Sequence, residues 1–410
     1  MYNNTPKQIN FNKLESKFIS SFGKILSVIL IFLFLFSSCK KRIERVINYS
    51  PRVVTDSTLI NKDSSLRVIS VGEKISYHPL VSQIYERNNI VEYILLDGND
   101  LHIFNYYSGF LNRSISINSS IENGCGILNN YSGFYFHSSD SIFIYNYKMK
   151  MVFLIDSVSN IKNRWNILDK QLAKYPVDPE ALTSSPIIYE NGYLLLSGSG
   201  LGQPDDATEK NKPVSCLINI NTNSMEYIMG YPEQYRKGNF GGVYFNTVYH
   251  TKGDDISVLY SFPADHYVYR LNFKLLELDT IYAGSRNIKH IESSSSSPLS
   301  IYIDKDKRIA YFVGQPSYSN IIYDKYRKLY HRIASIPLID WKKTDIGFRK
   351  PFSIITIDRN GKILSETPIF NDFKNLNLTN MHVVPDGIII QTVNNDDEHK
   401  IYFNLYKIRS

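Results

Sequence analysis

The sequence predicts an all-β chain closed into a β-propeller of six blades, with seven as the alternative. Three observations carry this. From about Ser65 onward the 410-residue chain repeats short runs rich in Ile, Val, Tyr and Phe, bounded by Asn, Asp, Gly and Ser, the composition of strands and tight turns. These runs group into units of three or four, and such small sheets bury both faces only by stacking against neighbours in a ring. The last unit offers only three strands, while "SLRVISVG" (Ser65 to Gly72) stands alone before the first unit and can complete it, leaving no exposed edge. The competing reading is a set of β-sandwiches or a mixed β domain.

Length and composition allow one large domain or two to three ordinary ones. Hydrophobic residues make up 43% and aromatics 13% of the chain, enough for a sizeable core and too many for a disordered chain. The formal charge is +7, of which +3 falls in Met1 to Ser38 (Lys7, Lys13, Lys17 and Lys24 against Glu15), leaving +4 for the rest. So small an excess argues against a nucleic-acid partner, where Lys and Arg are expected to cluster on one face.

The N-terminus reads as three parts. Met1 to Lys24 is polar and basic, Ile25 to Phe36 is apolar apart from Ser27, and Ser37 and Ser38 precede Cys39. These twelve residues cover roughly 18 Å as a helix, short of the ~30 Å hydrocarbon core. Basic region, short apolar region and small-residue site together predict a secretory signal peptide over 1–38. Leu35-Phe36-Ser37-Ser38-Cys39 resembles the lipobox of bacterial lipoproteins, with Phe36 where that family usually has Leu. The resemblance implies cleavage before Cys39, lipidation of Cys39 as the first mature residue, and a cell-envelope location. Anchoring of this kind is additive at about 0.8 kcal/mol per buried CH₂, so several chains hold where one is marginal. In the surface-exported lipoproteins of related bacteria acidic residues tend to follow the cysteine. Lys40, Lys41 and Arg42 here imply a periplasm-facing anchor in the outer membrane, with the membrane itself as one partner. Residues 39–64, charged and Ser-rich, read as the lipidated N-terminus and a flexible tether.

The domain then runs over 65–410. Val91 to Leu96, Leu101 to Asn105 and Phe110 to Ile117 read as a meander, and Gly133 to Ser157 repeats it. Pro186 to Gly198 contains Asn191-Gly192, a two-residue hairpin signal. Further copies are expected across Gly242 to Gly284 and Leu299 to Gly314, then in Phe352 to Ile369, Met381 to Val393 and Lys400 to Ile408. Gln315 to Lys350 reads as an insertion within the fifth unit. Ser159 to Lys174, with Ile161, Trp165, Leu168 and Leu172 at spacings of four, three and four, predicts one helix.

Signals for chemistry are sparse. Cys125 and Cys216 are read as buried thiols, with a disulfide as the alternative for an exported chain. The nine His residues show neither His-Glu-x-x-His nor a Cys-x-x-Cys companion, so no metal or other cofactor is expected. "GSGLG" (Gly198 to Gly202) follows a strand, but no basic residue or helix comes after it, and it reads as a polar blade loop bordering a binding face. "DKDKR" (Asp304 to Arg308) and "NNDDEH" (Asn394 to His399) read as charged hairpin turns, with Ca²⁺ binding as the alternative. His102 with Asp97 and His331 with Asp324 need geometry before they count as dyads. No Gly-x-Ser-x-Gly elbow is present, and no catalytic residue is assigned.

Lipobox and blade grammar together resemble the six-bladed β-propeller lipoproteins, in particular a lipoprotein domain family of unknown function. "YDKYRKLYHRIASIP" (Tyr323 to Pro337) and "IDRNGKILSETPI" (Ile357 to Ile369) share its look. The resemblance implies no catalytic residues. Two functions are carried forward. The first is a monomeric, non-catalytic binding or scaffolding module for a protein, peptide or glycan, with the 31 Tyr supplying contact area. The second is a polysaccharide-processing enzyme with its site in the propeller funnel.

Overall fold

The computed structural model describes residues 45–48, 59–168, 176–200, 212–338, 349–393 and 397–409. Strands β1 (Arg45–Asn48) and β2 (Ile60–Ser70) come first. Six sheets then follow in chain order. The first is β3 (Ser82–Arg87), β4 (Ile90–Asp97), β5 (Asp100–Asn105) and β6 (Leu111–Ser116); the second is β7 (Gly133–Ser138), β8 (Ser141–Asn146), β9 (Met151–Ile155) and β10 (Ile161–Asn166). The third holds β11 (Val177–Pro179), β12 (Ile188–Glu190), β13 (Tyr193–Gly200), β14 (Pro213–Asn219) and β15 (Ser224–Gly230). The fourth is β16 (Tyr249–Lys252), β17 (Ser257–Ser261), β18 (Tyr267–Asn272) and β19 (Leu278–Tyr282), with β1 added in parallel beside β19. The fifth is β20 (Ser317–Asp324), β21 (Leu329–Ser335), β22 (Phe352–Asp358) and β23 (Ile363–Ile369). The sixth is β24 (Leu376–Val384), β25 (Gly387–Thr392) and β26 (Lys400–Ile408), completed by β2.

This is a six-bladed β-propeller. The expected closing strand is present and longer than the sequence suggested: β2 pairs antiparallel with β26 from Ile60↔Ile408 to Ser70↔Lys400, across a register shift between Lys62 and Leu66. Each buried cluster fills the gap between two neighbouring blades. Ile94, Leu101 and Ile103 of blade one meet Phe134, Ile142 and Ile144 of blade two. At the ring's closure Ile69, Ile389 and Phe403 of blade six meet Val91, Tyr93 and Phe104 of blade one. Stacking on both sides buries five consecutive residues, Val91 to Leu95, in β4, and all of Ser257 to Ser261 in β17. Central strands therefore read as continuous apolar runs, whereas the outermost β6 keeps only Ile115 buried.

Three expectations are corrected. Ile161–Asn166 is the outer strand of blade two, paired with β9, not the start of a helix; residues 169–175 lie outside the described ones. A spacing of four is even, so Ile161 and Trp165 satisfy the two-residue period of a strand as well as that of a helix. Conversely, the strands expected in Leu299 to Gly314 are two helices, α2 (Pro298–Ile303) and α3 (Lys305–Gly314), which follow the short α1 (Glu233–Lys237). Ser297 caps α2 by accepting from the Ser300 N–H with Pro298 at the first position, and Asp304 caps α3 by accepting from the Lys307 N–H. Ile309 and Val313, four apart, are its buried stripe. Gln315 to Lys350, expected as the insertion, instead supplies β20 and β21, the first two strands of blade five. The helices are what is inserted between blades four and five.

The first strand of each blade lies nearest the axis: β24 touches β3, β3 touches β7, β7 touches β12, and β16 touches β20, which touches β24. Antiparallel order then sorts the connections onto two faces. Links between first and second strands, and between third and fourth, never exceed five residues, as at 88–89, 191–192 and 385–386. Among the described residues the longer connections from one blade to the next, including 231–248 and 283–316, emerge on the opposite face.

Candidate binding cleft

Two adjoining cavities open on the long-loop face. The smaller, 420 Å³, lies between blades three and four and is walled by Asp178, Glu180, Tyr231, Tyr235, Phe240 and Tyr302 among others. The larger, 600 Å³, sits toward the axis against β16, β20 and β24, with Tyr249, Phe312, Ser319, Asn377, Arg349 and Lys350 in its wall. Glu180, Leu182, Ser184 and Thr247 line both and mark their junction.

The junction is set by β11 and the segment that follows. β11 pairs with the far end of β13, Val177↔Gly200 to Pro179↔Gly198, and the Glu180 N–H donates to the Ser197 carbonyl at 3.1 Å. Gly198 is required there, since a Cβ would stand 2.2 Å from the Asp178 carbonyl oxygen. "GSGLG", expected as a polar blade loop, is strand where it is described: Gly198 to Gly200 are the end of β13, held there by pairing with β11, Gly198 and Ser199 line the smaller cavity, and Leu201 and Gly202 lie outside the described residues. Beyond Glu180 the chain is tied to three neighbouring segments. The Ala181 N–H donates to the Tyr131 carbonyl, the Thr183 N–H to that of Leu80, and the Ser185 hydroxyl to that of Val248. Blades one, two and four thereby hold one segment in place.

The electrostatics of this junction are uneven. Asp178 is engaged by an ion pair with Lys150 and accepts from the Tyr147 hydroxyl at 2.9 Å. The Glu180 carboxylate accepts no hydrogen bond from any described residue, and burial together with the charge of Asp178 raises its pKa above the ordinary glutamate value, partly offset by Lys150. Burial raises the Tyr249 phenol to about 12, with the charge of Glu180 adding to the shift. On the blade-five side, Lys350 is buried and donates to Ser317 Oγ at 2.6 Å and to the carbonyls of Gln315 at 3.0 Å and Phe312 at 3.1 Å. Those carbonyls end α3, so the ammonium caps the negative end of the helix.

The residue pairs singled out in the sequence are not sites. His102 Nδ1 pairs with Ser114 Oγ at 2.8 Å rather than with Asp97. His331 Nε2 stands 3.7 Å from Asp324 Oδ2, beyond hydrogen-bond length, with both side chains fully buried inside blade five. Asp324 instead shapes its hairpin, accepting from the N–H groups of Tyr326 and Arg327 at 3.0 Å. Asp304 to Arg308 opens α3 rather than a hairpin turn. Asp397 accepts from the His399 N–H and pairs with Lys400, while residues 394–396 lie outside the described ones. Cys125 and Cys216 are free and buried, and Cys39 lies outside the described residues.

Sequence reasoning missed the cleft and a polar knot beside it. Ser82 Oγ, Asn380 Oδ1 and His382 Nε2 lie 2.8 Å from one another, joining blades one and six, and Thr183 Oγ1 accepts from the Ser82 N–H at 2.9 Å. Burial pulls the His382 pKa down to about 3, which keeps the ring neutral. The one available signal for Glu180 was topological: "VDPE" links two blades, and every such link runs on the long-loop face.

Known proteins place the chain by fold and family. No curated protein sequence matches it. The crystal structure of a member of the DUF4221 family from Bacteroides vulgatus is similar to it with a TM-score of 0.69 at 17% identity, covering 86% of this chain and 99% of that one. A Bacteroides fragilis protein named "Putative exported protein" is similar with a TM-score of 0.53 at 13% identity, covering 90% of this chain and 100% of its own. The sequence profile described as "Domain of unknown function (DUF4221)" matches residues 59–368, blades one to five with the closing strand. The chain belongs to the DUF4221 family, whose function is unknown.

Proposed function

We propose that the chain is a lipid-anchored envelope protein whose propeller is a non-catalytic binding module, held by Cys39 at the periplasmic side of an outer membrane and offering its long-loop face to a protein, peptide or glycan. The observation that carries this is the pair of adjoining cavities, 420 and 600 Å³, both on the face where the longer connections between blades emerge. The lipobox-like Leu35 to Cys39 supports the anchor, and the similarity to a protein named as exported is in keeping with it.

A second reading, glycan hydrolysis, draws on Asp178 and Glu180 sharing one cavity. That chemistry uses two working carboxylates. Engagement of Asp178 by Lys150 and Tyr147 leaves one, which favours binding.

The test combines fractionation with co-purification. Wild-type protein is expected in the membrane fraction and Cys39→Ala in the soluble one, and Ser184→Trp, which fills the junction, is expected to keep the fold by circular dichroism while losing the co-purifying partner. Membrane retention of Cys39→Ala overturns the anchor. Full partner recovery with Ser184→Trp overturns the cleft, and release of reducing ends from polysaccharide overturns the non-catalytic reading.

A further inference from the structure

We infer that the junction of the two cavities recognises a primary ammonium group, a lysine side chain or the free N-terminus of a peptide, with Glu180 as its principal acceptor; this rests on the reading of the long-loop face as a ligand-binding surface. The first support is charge. Among the described residues lining the smaller cavity are two carboxylates and four aromatic rings, and no Lys, Arg or His. Lys150 compensates Asp178 from outside the cavity, which leaves Glu180 without an ion-pair partner among the described residues. Glu180 is half-buried, and a carboxylate drawn out of water is ordinarily paired or hydrogen-bonded.

The second support is unspent hydrogen-bonding capacity. Ser184 is only 8% exposed, lines both cavities, and its hydroxyl has no hydrogen-bond partner among the described residues. The Tyr249 hydroxyl, in the wall of the larger cavity and within reach of the Glu180 charge, has none either. An ammonium offers three N–H donors and no acceptor. One carboxylate and two hydroxyls are its complement, and a charged donor gains about twice what a neutral one does from each such bond. A sugar hydroxyl brings one donor and leaves the carboxylate's charge unanswered. The surrounding Tyr231, Tyr235 and Phe240 rings keep water away and suit a cation.

The third support is the response of Glu180 to its surroundings. Burial and Asp178 disfavour its charged form, so a bound cation relieves the repulsion, and acidification that protonates Glu180 weakens binding at a higher pH than an ordinary glutamate would. The groups facing it are Asp178 on β11, Lys150 and Tyr147 from the turn between β8 and β9, and Tyr249 on β16, with Arg349 and Lys350 on the blade-five wall of the larger cavity.

Titration calorimetry on the full folded domain decides this, using Ac-Ala-Lys-Ala-amide and Ala-Ala-Ala-amide as amine probes and Ac-Ala-Gln-Ala-amide and maltotriose as neutral ones. Both amine probes are expected to bind, the neutral ones not. Glu180→Gln, checked for folding by circular dichroism, is expected to weaken the amine probes about tenfold or more, and Ser184→Ala by a smaller factor. Equal binding of the Gln peptide, undiminished binding to Glu180→Gln, or silence of both amine probes at millimolar concentration overturns the inference. Binding of maltotriose alone overturns it too while leaving the cleft as a ligand site, whereas full partner recovery by Ser184→Trp removes the cleft itself.

Discussion

The Lys350 ammonium donates to Ser317 Oγ at 2.6 Å, fastening the chain that enters β22 to the first residue of β20. Its other two bonds go to the carbonyls that end α3, and no carboxylate is among these acceptors. Burial pulls its pKa from 10.5 down to about 7. Between those values the folded protein binds fewer protons than the unfolded chain, so unfolding free energy rises with pH from about 7 towards 10, and the burden of the buried charge is fully present below pH 7. Lys350→Met is expected to flatten that rise. Urea denaturation at pH 7 and pH 9.5 measures it, and an unchanged slope in the variant refutes the assignment.

Arg332, on β21, is fully buried and has its guanidinium 3.8 Å above the Tyr318 ring. It donates to Ser261 Oγ and to the carbonyls of Phe262, Asp265, His266 and Ala283, tying blade five to blade four. Arg332→Met strands these acceptors, at an expected cost of about 3 to 5 kcal/mol. Arg332→Lys keeps a charge but not the planar fork, so it is expected to recover only a minor part of the loss in urea unfolding.

Ring closure depends on β2. Ile69 is 1% exposed in the core shared by blades six and one, whereas Leu66 on the same strand is 50% exposed. Ile69→Asp is expected to lower stability by about 3 kcal/mol or more. Leu66→Asp should stay within about 0.5 kcal/mol of wild type. Comparable losses for both in thermal melts would mean that β2 closes the ring by backbone pairing alone.

The two thiols in the cores differ from an exported disulfide in their chemistry. Burial pushes Cys125 up to about 12 and raises Cys216 further. In a Cys39→Ala chain, a thiol-reactive dye is expected to label neither while the protein is folded and both after denaturation without reductant. Labelling that needs reductant would reveal a disulfide.

How far the sequence carried depends on how local each feature is. Strands such as Val91 to Leu96 and the Asn191-Gly192 turn were legible because side-chain period and turn chemistry act over a few residues. The closing strand was legible by counting. Ile161 to Asn166 reads as helical because a spacing of four fits both periods, and α2 and α3 read as strands because the run is rich in Ile, Tyr and Val, while the caps that start them at Ser297 and Asp304 show only in the structure. The cleft had no comparable mark. Glu180, Tyr249 and Lys350 are scattered across 170 residues of chain.

By itself the sequence determined the all-β blades and their closure by an early strand, since these rest on periodicity and composition, which act over short stretches of chain. Only the tertiary structure decided that the longer connections between blades share one face, that Asp178 pairs with Lys150, and that Glu180, Ser184 and Tyr249 lie along adjoining cavities with no side-chain hydrogen-bond partner among the described residues. Those are relations through space, set by how six twisted sheets stack around an axis. Charge, burial and hydrogen-bond capacity become properties of a site only once that stacking brings its residues together.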